Sequence, residues 1–151
     1  MSHFPLYVAL KLAAYIGWCW TGAWWLAPDR ARPGLLAVGL GIVRLLMGVF
    51  FGILIWLLAS VVYARMGSMD VETAGVRTAI TYVIVYVPVR WIEWGIIDVL
   101  LNVRERSLKQ FLLGSGAWAR MWRIGGIAIS CLADIPVFMQ VGGLPIGRFM
   151  C

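Results

Sequence analysis

The stretch YVPVRWIEWGIID, residues 86–98, places three charged side chains inside a long apolar segment. Arg90 and Glu93 divide that segment into two apolar pieces, residues 79–89 and 94–101. A helix needs about 20 apolar residues to cross the hydrocarbon core of a bilayer, and neither piece reaches that length alone. An interfacial position for these charges would leave the segment too short. Arg90 and Glu93 are therefore predicted near the middle of a membrane.

The composition indicates the solvent that surrounds these charges. Of 151 residues, 62% are hydrophobic and 13% are charged, and the mean hydropathy is +0.88. These values lie far outside the range of soluble domains, so we predict an integral membrane protein with a single polytopic domain, residues 1–151. The net charge of +6 then indicates basic loops that face anionic lipid headgroups, rather than a surface that binds nucleic acid.

Four apolar segments reach the length of a bilayer crossing, at residues 5–27, 35–63, 79–101 and 124–146. They predict an all-α membrane protein built as a four-helix transmembrane bundle. The fourth segment contains Pro136 at its middle, and glycine pairs begin at Gly125 and Gly142. Because such residues weaken a helix, this segment either crosses fully or is broken in two or re-entrant.

A basic stretch, residues 104–123, precedes the fourth segment. Its basic and apolar residues are interleaved, which predicts an amphipathic helix on the membrane surface, interrupted at Gly114 and Gly116. Five cations of this stretch are predicted to bind lipid headgroups: Arg104, Arg106, Lys109, Arg120 and Arg123.

The distribution of lysine and arginine predicts the orientation of the bundle. The loops 28–34 and 103–123 carry seven basic residues, and the opposite side of the bundle carries four. Basic residues inside the second and third segments are left out of this count. Basic loops remain cytoplasmic, so both termini are predicted to lie outside, in a bacterial-type inner (plasma) membrane.

Four side chains follow each other by four, four and three residues along the third segment: Tyr82, Tyr86, Arg90 and Glu93. This spacing places them on one face of a helix. A charge at the bilayer centre costs about 3 kcal/mol, so the face should point inward and be paired. Asp134 supplies a second carboxylate, in contact with Arg90, and Arg44 a second cation, which predicts a neutral cluster with two charges of each sign.

Two other charges, Lys11 and Asp98, are predicted at the membrane interface. Lys11 lies near the start of the first segment, and Asp98 lies near the end of the third. For Arg44 two positions compete. Either residues 45–63 span the membrane and Arg44 extends to the interface, which is the favoured interpretation, or the helix is tilted and Arg44 points inward.

The sequence predicts no metal site and no cofactor. Cys19, Cys131 and Cys151 form no CxxC pair, so neither a disulfide framework nor a zinc site is indicated. His3 is the only histidine, which excludes a haem held by two histidines of this chain.

Three functions remain open, and no soluble domain or catalytic motif is present to decide between them. The favoured one is a non-catalytic subunit or accessory factor that binds a partner helix or a lipidic ligand. The first alternative is a proton- or ion-coupled transporter that works as a homo-oligomer, with Glu93 and Asp134 as titrating groups. The second is an intramembrane hydrolase in which Asp134 and either Glu93 or Asp98 activate a water.

Overall fold

A computed structural model of the chain describes residues 4–29, 31–66, 76, 80–101 and 107–141. Within these ranges the helices are α1 (Phe4–Leu26), α2 (Pro33–Met66), a π-helical turn (Tyr82–Tyr86), α3 (Val87–Leu101), α4 (Leu108–Leu113) and α5 (Ala117–Val141). The described residues contain no strand, which confirms the prediction of an all-α bundle.

The first two helices form a hairpin, and prolines mark its turn. α1 ends at Leu26, shortly before Pro28, because proline lacks the N–H that would continue the helix. α2 begins with Pro33 at its first position, where a missing N–H costs nothing. Arg32 closes the turn with a φ of 58°, and its carbonyl accepts a hydrogen bond from the Leu36 amide at 3.2 Å.

α2 is the one helix in the described part of the chain that is long and apolar enough to cross a membrane. Its 34 residues extend over about 51 Å, well beyond the roughly 30 Å of a hydrocarbon core. Its buried residues are mostly small and include one charge: Ala37, Leu40, Gly41, Arg44, Gly48, Gly52, Ile55 and Ala59. Large apolar side chains such as Phe50, 70% exposed, point away from the bundle.

α5 runs through Pro136 without interruption, so the broken alternative for the fourth segment is not seen within the described residues. A proline inside a helix removes one hydrogen bond, and the remaining bonds keep the helix intact across that position. The helix also begins at Ala117, seven residues before the predicted start at residue 124. Residues 142–146 of the predicted segment lie outside the described residues.

The stretch predicted to hold an interrupted amphipathic helix forms the six-residue α4 and the first turns of α5. Ser107 and Gln110 form a capping box that begins α4, and the chain leaves the helix at Gly114 with a φ of 81°. An L side chain is strained at this φ, whereas glycine is not. The chain therefore turns at one of the two glycines that were expected to interrupt the stretch.

α1 and α5 cross through a reciprocal pair of tryptophans. The Trp18 indole donates to the Trp122 carbonyl at 3.0 Å, and the Trp122 indole donates to the Trp18 carbonyl at 3.2 Å. A Cβ at Gly22 would lie 2.6 Å from the Trp122 ring, and one at Gly125 would overlap the Trp18 ring. Each indole therefore requires a glycine on the opposite helix.

Candidate functional site

The central cluster joins α2 and α3 through Arg44, Arg90 and Glu93, which are fully buried. Arg44 Nη2 and Arg90 Nη1 lie 2.7 Å and 2.6 Å from the same carboxylate oxygen, Oε2 of Glu93. Arg90 and Glu93 pair within one helix because they are three residues apart, and Arg44 reaches the carboxylate from the neighbouring helix. The favoured interfacial position for Arg44 is therefore wrong, because Glu93 supplies a counter-charge inside the bundle.

Aromatic rings enclose both guanidinium groups of the central cluster. The Arg44 Cζ atom lies 4.8 Å from the centre of the Tyr15 ring and 5.2 Å from that of Trp94. The Arg90 Cζ atom lies 4.7 Å from the Tyr86 ring centre. Cation–π contacts of this kind are strongest where water is excluded. The rings therefore stabilise the two buried guanidinium groups but supply no negative charge to balance them.

Several polar atoms of the central cluster are buried without a hydrogen-bond partner. They include Nε and Nη1 of Arg44, the Tyr15 hydroxyl and Oε1 of Glu93. Trp94 and Ser130 do not reach these atoms: the indole donates to the Ser130 hydroxyl at 3.3 Å, and that hydroxyl accepts from Arg44 Nη2 at 3.5 Å. A buried donor without a partner costs about 1–3 kcal/mol and is rare in native structures.

A second cluster ties α1 to α5 through Lys11 and Asp134, which are 2% and 6% exposed. The Lys11 ammonium pairs with Oδ1 of Asp134, and the Tyr7 hydroxyl donates to the same oxygen at 2.6 Å. The Tyr86 hydroxyl donates to Oδ2 at 3.2 Å. Lys11 was predicted at the interface and Arg90 as the cation of Asp134. The structure instead buries Lys11 and makes it the counter-charge.

A third cluster corrects two further predictions, those for Asp98 and Arg123. Asp98 was expected at the interface and Arg123 among the headgroup-binding cations, but both are fully buried and paired at 2.7 Å. Arg123 Nη1 also donates to the Phe111 carbonyl at 2.6 Å, and the Trp91 indole donates to the Leu112 carbonyl at 2.6 Å. The carbonyls at the end of α4 thus receive donors from α3 and α5.

Headgroup binding by the remaining candidates stays a prediction. Lys109 and Arg120 are exposed on the end of the molecule formed by α4 and the start of α5. Arg104 and Arg106 lie outside the described residues.

The two tyrosines of the predicted stripe lie on a π-helical turn rather than on α-helix. The Val87 amide donates to the Tyr82 carbonyl, five residues back, as in a π-helix. The Tyr82 and Tyr86 rings stack with centres 4.3 Å apart. The Tyr86 hydroxyl reaches Asp134, whereas the Tyr82 hydroxyl is hydrogen-bonded to the Cys131 sulfur.

Buried positive charge exceeds buried negative charge in the described part of the chain. The buried cations are Lys11, Arg44, Arg90 and Arg123, and the buried carboxylates are Glu93, Asp98 and Asp134. The predicted neutral group of two cations and two carboxylates is therefore wrong. The structure divides the charges among three clusters with a net charge of +1.

Sequence reasoning missed the contribution of α1. Tyr7, Lys11 and Tyr15 carry the second cluster and enclose the first, and they follow each other at intervals of four residues. The same interval identified the polar face of the third segment. The periodicity was therefore visible in the sequence, but Lys11 was interpreted by its distance from the end of the segment.

No group of three or more His, Cys, Asp or Glu side chains that could hold a metal ion occurs among the described residues. Comparison of the chain with protein-family models, curated proteins and solved structures finds no match. The proposed function therefore rests on the geometry of the buried clusters.

Proposed function

We propose that this chain is a small multi-pass membrane protein without catalytic activity, which acts as a subunit or accessory factor and binds a lipidic ligand in its polar interior. The observation that carries the proposal is the excess of buried cations over buried carboxylates, together with the unpartnered donors of Arg44. An interior of this kind favours an acidic guest, because a guest carboxylate or phosphate would supply the missing acceptor.

The two faces of α2 support the membrane environment. Its large apolar side chains point outward, while its inner face carries glycine, alanine and one arginine. In lipid, small residues let helices approach closely, and polar residues are turned inward. Gly48 and Gly52 form a GxxxG pattern, and both are buried within the bundle.

Four crossings remain the proposed topology. α1 has 23 residues and α5 has 25, and each exceeds the roughly 20 that a crossing needs. With the buried Arg123 and Lys11 removed from the count, six basic residues stand on the proposed cytoplasmic side and three on the other. The orientation with loops 28–34 and 103–123 in the cytoplasm of a bacterial-type inner membrane is retained.

The pairing of the acids favours binding over hydrolysis. Each of the three buried carboxylates has a basic group of its own within salt-bridge distance. A two-carboxylate hydrolase needs two acids that share or bracket a water, so that one of them stays protonated. Among the described residues, each of these acids is paired with a cation.

Proton-coupled transport is a second candidate, and the cluster around Asp134 favours it. Tyr86, Asp134, Lys11 and Tyr7 form a continuous chain of hydrogen bonds across three helices. Chains of ionisable groups at membrane depth are a recurrent feature of proton pathways.

A native mass spectrum of the detergent-extracted protein tests the proposed function. We expect the wild-type chain to retain a lipid mass and Arg44→Gln to lose it. Arg65→Gln, an exposed arginine at the end of the same helix, is the matched control and should retain it. A copurifying protein would support the role of subunit with a partner helix as the guest. A bare monomer that carries neither lipid nor protein would contradict the proposal.

A further inference from the structure

One end of the molecule, formed by the last turns of α1, the hairpin turn, α4 and the start of α5, carries a group of exposed tryptophans. Trp25 on α1 and Trp118 on α5 are 62% and 69% exposed, and their ring centres lie 6.4 Å apart. Trp20 and Trp24, on the last two turns of α1, are exposed as well. Tryptophan is enriched where hydrocarbon meets water, because the indole has an apolar body and a polar N–H. This end therefore suits the depth of the lipid headgroups.

The short helix α4 lies at the same end and packs on the bundle through one side chain, Phe111. A Cβ at Gly95 of α3 would lie 3.5 Å from the Phe111 ring. Three leucines of α4 are exposed: Leu108, Leu112 and Leu113. The helical period places the first two beside Phe111, on one apolar side of the helix. Because a helix of six residues is too short to be stable alone in water, contact of this side with hydrocarbon would stabilise it.

The exposed charges of this end are mostly positive. The exposed cations are Arg32 in the hairpin turn, Lys109 on α4 and Arg120 on α5. The described residues of this end include one exposed acid, Asp29. Arg120 crosses the turn between α4 and α5, since a Cβ at Gly114 would lie 2.9 Å from its Cγ atom. Cations beside exposed indoles and leucines are complementary to the phosphates of an anionic bilayer surface.

We propose that this end of the molecule is an interaction surface for anionic phospholipids, with its tryptophans at headgroup depth and its cations on lipid phosphates. The inference rests on the proposed membrane environment but goes beyond the proposed function, because the lipid lies on the outer surface rather than in the polar interior. The fold adds Arg32 and the tryptophans of α1 to the surface, although both are distant in sequence from the basic stretch 104–123. The fold also removes Arg123, which is buried and paired with Asp98.

The test measures the lipid preference of the purified full chain in nanodiscs of phosphatidylcholine. Brominated phosphatidylglycerol or brominated phosphatidylcholine is added in equal amounts, and quenching of tryptophan emission gives the relative binding constant of the two lipids next to the exposed indoles. The anionic lipid should bind more tightly. Arg120→Gln should lower the relative constant about fivefold, because it removes one cation of the surface. Arg65→Gln, an exposed arginine at the other end of α2, is the matched control and should leave it unchanged.

The outcomes separate this inference from the membrane environment on which it rests. Equal binding of the two lipids by the wild-type chain, or an unchanged constant in Arg120→Gln, would overturn the inference and leave the membrane environment standing. An equal fall in Arg65→Gln and Arg120→Gln would also overturn it, because net charge alone would then explain the preference. Absence of quenching by either lipid would contradict the membrane environment as well.

Discussion

At the scale of single residues, Glu93 is the counter-charge of two guanidinium groups. Its Oε2 atom lies within 2.7 Å of both Arg44 and Arg90. We predict that Glu93→Gln lowers the free energy of unfolding by about 3–5 kcal/mol, because it leaves two buried cations without their anion. Unfolding by SDS in mixed micelles, followed by circular dichroism, measures this. Asp29→Asn, at an exposed turn, should change stability by less than about 0.5 kcal/mol; equal effects of the two would contradict the prediction.

At the scale of elements, α4 is held to the bundle by donors on its last carbonyls. The Trp91 indole donates a hydrogen bond to the Leu112 carbonyl, and Arg123 donates one to the Phe111 carbonyl. We predict that Trp91→Phe, which keeps an aromatic ring but removes the donor, raises hydrogen exchange of the α4 amides about fivefold, since a hydrogen bond contributes about 1 kcal/mol. Trp118→Phe, 69% exposed, is the control. Unchanged exchange in Trp91→Phe would show that α4 is held by other contacts.

At the scale of the whole molecule, the pair of Lys11 and Asp134 joins the first and last helices of the described bundle. We predict that Lys11→Met and Asp134→Asn each lower the free energy of unfolding by about 3–5 kcal/mol, because each leaves a buried charge without its partner. The double variant should recover most of that loss, because the amide oxygen introduced at position 134 can still accept from Tyr7 and Tyr86. A double-mutant cycle measures the coupling, and purely additive losses would contradict it. Proton flux in proteoliposomes unchanged in Asp134→Asn would remove the transport alternative.

Much of the architecture could be predicted without the fold. The apolar segment lengths predicted the first two helices, because hydropathy is a local property. The periodicity of the third segment likewise selected Arg90 and Glu93 as interior charges, and the structure buries both. The end of α4 at Gly114 was visible as a glycine in a helical pattern.

Only the tertiary structure decided which charge meets which. Lys11, Asp98 and Arg123 lie near segment ends, where the cost of burial alone favours the interface. Each is buried because another helix presents an opposite charge: Asp134 to Lys11, and Asp98 and Arg123 to each other. A sequence shows where a charge lies along its own helix, but pairing depends on how helices rotate against their neighbours. That rotation follows from long-range contacts, such as the Trp18 and Trp122 crossing, which no local pattern contains.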